Sequence, residues 1–512
     1  MISTPASKMT NHGKWMALIA AILGWMFDGF EMGLFPLTGR PALTELLTPE
    51  ITDAMSAADV AAMKATAAKT AGQWFGVIMA VFLIGAATGG VVFGWLGDKI
   101  GRVRAMSLSI FTYAVFSGLC GLATEAWHIA VLRFIASLGM GGEWSLGVAL
   151  VTELWSDKSR AFIAGLIGAA ANVGFLLVGA ISIGLRSFME PGAPFPWRWL
   201  MISGSFPALL IFFIRLFVPE SEKWQQEHGK GTTSHWATRD LIGVLIGCAG
   251  AGAVVYVWSP AVDNPAVQWP VTVVGVLVAL VGYIYPVWQY LQRSDTASIA
   301  AGGVAISHGG ATGSAIRRLL LGAGLTGVAL MGTWGTIQWV PRWTGKLVEG
   351  QDATTFLVKF GTELAQMMSA TGAIFGTIIA ALLAEKFGRR VTYALMCLGS
   401  FAACQLLFRE DMTYSVKFLS LVFLAGGMTA AFYGFFPFYL PELFSTRIRA
   451  TSQGFAFNFG RVLAAVGSLQ SANLERHFGS FAKAGAALAA IYFIGVVIIW
   501  MGPETKGKQL PE

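Results

Sequence analysis

The sequence predicts an all-α integral membrane protein of about fourteen transmembrane helices, built as two six-helix repeats with an extra hairpin between them. Three observations carry that prediction: a charge-poor composition, a lopsided distribution of Lys and Arg, and an internal duplication of charged motifs. Of 512 residues, 55% are hydrophobic and only 12% charged, whereas a soluble domain carries about 25% charged residues. The deficit is spread along the whole chain in repeated apolar runs.

Those runs fall at about 15–38, 72–94, 103–123, 127–150, 161–185, 197–218, 241–258, 271–291, 319–340, 361–383, 391–408, 416–440, 451–470 and 483–501. About 20 residues rising 1.5 Å each match the hydrocarbon core of a bilayer, so each run is a candidate crossing. The first fourteen residues are polar and the run after them has no convincing cleavage site; a retained first helix is expected, not a secretory signal. The four cysteines, Cys120, Cys248, Cys397 and Cys404, all lie inside apolar runs, where a thiol packs as a small hydrophobe.

With the N-terminus inside, twenty Lys and Arg occupy inner loops, twelve occupy outer loops, and Arg133, Arg215 and Arg461 lie within helices. Basic residues gather on the cytoplasmic side of membrane proteins, so both termini are expected in the cytoplasm of a multi-pass inner or plasma membrane protein. The same placement explains the net charge of +7 without any nucleic acid partner.

The chain also repeats itself. Gly97-Asp98-Lys99-Ile100-Gly101-Arg102 matches Ala384-Glu385-Lys386-Phe387-Gly388-Arg389 at an offset of 287 residues. Glu153-Leu154-Trp155-Ser156, ending in Arg160-Ala161, matches Glu442-Leu443-Phe444-Ser445, ending in Arg449-Ala450, at 289. Pro219-Glu220-Ser221 matches Pro503-Glu504-Thr505 at 284. Three motifs in one order at nearly one offset imply duplicated six-helix units, a plan that places a substrate site between the repeats at mid-membrane. The expected division is an N-terminal bundle over 1–218, a central segment with the two extra helices over 219–318, and a C-terminal bundle over 319–512. The segments flanking the central helices, around 225–240 and 292–316, are rich in Gly, Ser, Thr and Ala and read as linkers.

These motifs carry a family resemblance. Gly94 to Arg104 (GWLGDKIGRVR) resembles the inner-loop signature between the second and third helices of the major facilitator superfamily. Arg133 to Trp144 (RFIASLGMGGEW) is similar to the fourth-helix pattern of its sugar-porter and metabolite:proton symporter branches. Pro219-Glu220-Ser221 and Pro503 to Lys508 (PETKGK) resemble the ends of the sixth and last helices of sugar porters. The central hairpin, the Asp28-Gly29-Phe30-Glu31 stretch and Gly-Gly-Glu-Trp are similar to the sialate:proton symporter group. Aromatic-acid:proton symporters carry a related first-helix motif, with Asp where this chain has Glu31. The resemblance implies alternating-access transport by a monomer, with a small carboxylate, protons and the lipid bilayer as partners and no cofactor.

Charges inside the membrane are expensive and usually have a role or a partner. Counting from the helix ends, Asp28 lies about 20 Å and Glu31 about 24 Å from the inner surface, and Arg133 about 9 Å from the outer one. In a core about 30 Å thick these depths coincide, and the resemblance implies that their helices face each other. In sugar:proton symporters the equivalent acid and arginine form the coupling pair, and Glu31 aligns with that acid. Asp28 is the competing proton carrier, and a fixed salt bridge is the bland alternative. Glu143, beside Trp144, is either a further proton site or a structural group near the inner gate.

Arg461 lies about 15 Å deep and is the repeat counterpart of Asn172. A guanidinium facing the cavity suits a carboxylate, which it grips with two hydrogen bonds; a structural partner for a buried acid is the competing reading. Asn172, Trp334, Gln338, Gln366, Tyr433 and Asn458 are further candidate cavity residues, although Asn, Gln and Tyr also serve as packing contacts between membrane helices. Asp98, Arg102, Glu153 and Arg160 in one half, with Glu385, Arg389, Glu442 and Arg449 in the other, form two matching charge sets expected to gate the inner face. Exposed pairs of this kind are each worth about 0–1 kcal/mol, which suits a switch with two states of similar energy.

Several function classes are disfavoured. The Gly139-Met140-Gly141-Gly142 string lacks the preceding strand and the Lys-Ser/Thr of a nucleotide site. Six scattered histidines show no metal-ligand spacing, and no nucleophile–base arrangement points to an enzyme. A transporter-like nutrient sensor would be expected to carry long soluble additions, and the C-terminal tail here is short. A facilitative or proton-coupled sugar porter is the main alternative to an organic-anion symporter.

Overall fold

The structure, a computed structural model, describes residues 11–49, 55–155, 160–189, 195–259, 262, 264–300, 310–352, 354–469 and 471–511. Among them every regular element is helical. The first repeat contains α1 (Asn11–Leu47), α2 (Ala57–Ile100), α3 (Arg102–Leu119), α4 (Ala126–Leu154), α5 (Arg160–Ser187), α6 (Trp197–Ile202) and α7 (Ala208–Phe217). Next come α8 (Glu222–Gly229), α9 (Leu241–Val257) and α10 (Pro265–Ala300). The second repeat contains α11 (Gly310–Gly335), α12 (Val340–Leu347), α13 (Phe356–Lys359), α14 (Gly361–Phe387), α15 (Arg389–Leu407), α16 (Val416–Ala430) and α17 (Phe432–Tyr439). It closes with α18 (Arg449–Leu469), α19 (Ser471–Phe478), α20 (Phe481–Leu488) and α21 (Ile491–Ile498).

Twelve helical segments among the described residues are long and apolar enough to cross a membrane. Both central helices are among them, within Thr238–Val257 and Pro265–Thr296. The expected spans at 197–218 and 451–470 are not. The former is broken into α6 and α7 by a 3₁₀ turn at Ser203–Ser205. The latter, α18, is diluted by Gln453, Asn458 and Arg461.

Several helices run past the apolar stretches, α2 the furthest. α2 begins fifteen residues before its expected start at 72, because Ala57–Ala71 is rich in the best helix former and Ser56 caps it by accepting from the Asp59 N–H. The flank around 225–240 likewise contains helical turns, including α8.

In the first half α2 packs on α4, α3 on α4, and α1 on α5; in the second, α11 packs on α18 and α14 on α16. The halves meet along α2 with α18 and along α5 with α14. The first of these contacts requires glycine: a Cβ on Gly454 would sit 1.9 Å from the Gly90 carbonyl oxygen, so only backbone fits there. The α9–α10 pair lies against α2 and α18, tied by a 2.8 Å hydrogen bond between Thr88 Oγ1 and the Tyr283 hydroxyl.

Candidate functional site

A cavity of about 60 Å³ lies between the halves, smaller than the 300–1,000 Å³ usual for small-molecule sites. Asn172, Trp334, Gln338, Gln366, Tyr433 and Arg461 all line it. Asn458 does not: its Nδ2 donates to the Gly141 and Gly454 carbonyls, each at 2.9 Å, stapling α18 to α4. Three residues separate it from Arg461, so the two side chains leave the helix about 60° apart. Trp25, Thr333, Ser369 and Thr429 also line the cavity; nothing in their sequence context distinguishes them from other polar and aromatic residues of membrane helices.

Arg461 is fully buried, and its Nε and Nη1 have no hydrogen-bond partner among the described residues. Its guanidinium lies 5.7 Å from the Phe457 ring, which stacks on Trp144 at 3.7 Å between centroids. Gln366 Oε1 and Trp25 Nε1 are likewise buried and unpartnered. The cavity therefore offers a cation, donors and acceptors whose capacity the protein itself leaves unfilled.

Four charges gather beside it. Arg133 Nη1 lies 2.9 Å from Glu31 Oε1, an ion pair whose angle falls outside hydrogen-bond geometry. Ser117 donates to the same oxygen at 3.2 Å. The Arg133 guanidinium is sandwiched by the rings of Phe82 (4.5 Å) and Phe35 (5.1 Å), where cation–π attraction supplements the single carboxylate. Asp28 and Glu143 face each other within hydrogen-bonding reach. Glu143 is pressed against α1 where a Cβ on Gly24, one turn before Asp28, would lie 1.9 Å from its Oε1. Both acids are fully buried, and Asp28 and Glu31 are within electrostatic reach of Arg461. Among the described residues no group of three or more His, Cys, Asp and Glu gathers to hold a metal.

At the end carrying the repeated motifs, the halves are closed by charge. Asp98 Oδ1 pairs with Arg102 Nη1 at 2.7 Å, and its Oδ2 accepts from the Thr451 N–H at 2.9 Å and the Thr451 hydroxyl at 2.6 Å. Glu153 Oε1 pairs with Arg102 and with Arg449, each at 3.2 Å. Arg102 Nη2 donates to the Thr446 carbonyl at 3.1 Å. Arg389 makes a two-pronged pair with Glu442, at 3.0 Å through Nε and 2.5 Å through Nη2. Glu385 is exposed and makes no ion pair among the described residues. The Arg160 side chain lies outside the described residues.

At the opposite end, Arg186 Nη1 on α5 pairs with Glu363 Oε1 on α14 at 2.6 Å, joining the halves. By sequence Arg186 is one of the twelve basic residues expected in the outer loops. Its role was hidden because the partner lies 177 residues away and Glu363 stands within an apolar run.

Comparison with known proteins gives one family and several relatives. The family model described as "Sugar (and other) transporter" matches residues 16–257 and 353–512. A cis,cis-muconate transport protein of Acinetobacter baylyi is 25% identical over 424 residues, covering 83% of this chain and 83% of its own. The sialic acid transporter NanX of Escherichia coli is 30% identical over 229 residues, 45% of this chain and 50% of its own. Among solved structures, the proton:xylose symporter XylE bound to 6-bromo-6-deoxy-D-glucose superposes with a TM-score of 0.65 at 18% identity, covering 97% of this chain and 98% of that one. At that identity the likeness concerns the fold.

Proposed function

The chain belongs to the sugar (and other) transporter family of the major facilitator superfamily, and from that premise we propose that it imports a small organic anion together with protons by alternating access. It is a membrane transporter, not an enzyme. The observation that carries the anion reading is Arg461: a buried guanidinium in the central cavity with unfilled N–H groups. A carboxylate supplies both the charge and the acceptors it lacks. The named substrates of the two relatives, muconate and sialic acid, are carboxylates.

Proton coupling follows from the acids. Asp28 and Glu143, both buried within reach of each other, are the second candidate place for a coupled proton. Glu31, paired with Arg133, is the carrier whose proton exchange is set by that arginine's distance. Substrate arriving at Arg461 adds a negative charge within reach of Asp28 and Glu31, which favours their protonation. The neutralised site then permits the halves to rock and the charged contacts at the motif end to part.

In this reading the chain crosses the membrane fourteen times as a monomer, with the broken α6–α7 and the polar α18 as the two crossings of weaker hydropathy. The central helices form a transmembrane hairpin, the motif end and both termini face the cytoplasm, and the membrane is the plasma or inner membrane. A sugar porter is the second reading, favoured by the family description and the xylose symporter fold.

The test is proteoliposome uptake of labelled N-acetylneuraminate and cis,cis-muconate, with and without an inward proton gradient. Gradient-driven uptake of either, lost in Glu31→Gln and weakened at least tenfold in affinity in Arg461→Ala, is the expected result. Carboxylate uptake indifferent to the gradient would leave a facilitator; xylose uptake without either acid would give the sugar reading.

A further inference from the structure

Beyond the central cavity, at the end opposite the motifs, lies a second cavity of about 280 Å³. Pro341 lines both, so the two are stacked along the path between the halves. Its wall carries three arginines from both halves, Arg40 of α1, Arg186 of α5 and Arg342 of α12, against one carboxylate, Glu363. Glu363 is engaged through one oxygen: its Oε1 takes Arg186 at 2.6 Å and the Ser182 hydroxyl at 3.1 Å, while its buried Oε2 has no hydrogen-bond partner among the described residues. Arg342 reaches only Glu475, at 4.0 Å, and that acid is held more closely by Lys346. Arg40 makes no ion pair among the described residues and stands within electrostatic reach of Arg342. Three guanidiniums thus share one space with a single carboxylate, an excess of positive charge whose repulsion an arriving anion relieves.

We propose that this vestibule is an entry site for small carboxylates, in which Arg40 and Arg342 hold the anion before it passes Pro341 to Arg461. The proposal rests on the organic-anion reading for its cargo, but the positive vestibule is testable without transport. A concave, positively lined mouth concentrates anions, and the effect falls as salt rises. Arg186 and Glu363 form the wall joining the halves beside it, so the entry site sits at a contact that opening must break.

Gly72 lines the vestibule and has no atom within 4 Å of an added Cβ, so Gly72→Cys in a Cys248→Ala background places a thiol there without crowding. Its labelling rate is compared for anionic sulfonatoethyl and cationic trimethylammonioethyl methanethiosulfonates, each normalised to free thiol. The anionic reagent is expected to be about tenfold faster, with the preference collapsing toward one in Arg40→Gln/Arg342→Gln and in high salt. Added cis,cis-muconate should slow labelling. Equal rates for the two reagents, or a preference untouched by removing both arginines, overturn the entry site even where carboxylate uptake succeeds. A strong preference with protection by muconate upholds it even where no gradient-driven uptake is found, in which case the transport reading alone fails.

Discussion

The two copies of the charged motif share a backbone device and differ in what they hold. In the first, Gly101 turns with φ 112°, and Glu220 accepts from the Arg102 and Val103 N–H groups at the start of α3. In the second, Gly388 turns with φ 89°, and Glu504 accepts from the Arg389 and Arg390 N–H groups at the start of α15. Both positions need a left-handed turn, which glycine adopts without strain, and both acids satisfy the free donors of a helix N-terminus. The likeness stops at the side chains that face the other half. Asp98 crosses over and caps the N-terminus of α18 through Thr451, and Glu153 crosses to Arg449. The corresponding Glu385 is exposed, and Glu442 holds Arg389 and the Thr505 hydroxyl of its own half. Both copies thus brace their own half, Glu153 through Arg102 and Ser221 and Glu442 through Arg389 and Thr505, and among the described contacts the first copy also reaches across to the other half.

The largest expected effect breaks this contrast at its centre. Asp98→Asn removes the charge that caps α18 and pairs with Arg102, weakening closure of the motif end by about 2 kcal/mol, roughly thirtyfold in the closed-to-open ratio. Uptake should fall at least tenfold, and a cysteine at Ala373 in the central cavity should become reactive from the motif side. Glu385→Gln should leave both within about twofold. Equal losses in the two variants would show that the motif copies gate symmetrically.

A finer contrast separates locking from bracing. Glu153→Gln leaves the buried Arg449 without the counter-charge that reaches it across the interface, so it should move the cavity's accessibility toward the motif side and also lower the melting temperature. Glu442→Gln leaves the buried Arg389 without its counter-charge, which for a buried pair costs about 3–5 kcal/mol. It should lower the melting temperature with little shift in accessibility. An accessibility shift in Glu442→Gln and none in Glu153→Gln would reverse the roles assigned to the copies.

Much of the scaffold was legible because its signals are one-dimensional. Run length gave the helices, the offset of three motifs gave the duplication, and depth arithmetic brought Glu31 level with Arg133. Six of the seven residues expected at the cavity line it. What stayed hidden depends on helix rotation. A helix apolar on every face does not announce which side meets its neighbour, so Asn458 could not be told from Arg461 until α18 was seen against α4. The exposed Glu385 and the cross-half Asp98 likewise carry the same kind of charge at the same place in the motif. The vestibule was missed for another reason: Arg40, Arg186 and Arg342 lie far apart in sequence and converge only when the halves pack.

The smallest effect concerns the two capping acids, which lie outside the membrane spans. Burial pushes the Glu220 carboxyl above the ordinary 4.5 despite the N–H groups it accepts from. Burial acts the same way on Glu504, but there the N–H groups of Arg389, Arg390 and Lys506 prevail and hold it below 4.5. The signs are therefore opposite. Glu504 contributes stability above pH 4.5 that is lost as the pH falls through its lower folded value, whereas Glu220 binds a proton more readily folded than unfolded, so acidification from neutral pH favours the folded state at that site. Glu504→Gln should lower the melting temperature at pH 7 by about 1–2 °C and flatten its decline below pH 4.5. Glu220→Gln should leave it unchanged or slightly raised at pH 7. Matching acid profiles for the two variants would mean that the copies differ in their interface charges alone and that their caps are equivalent.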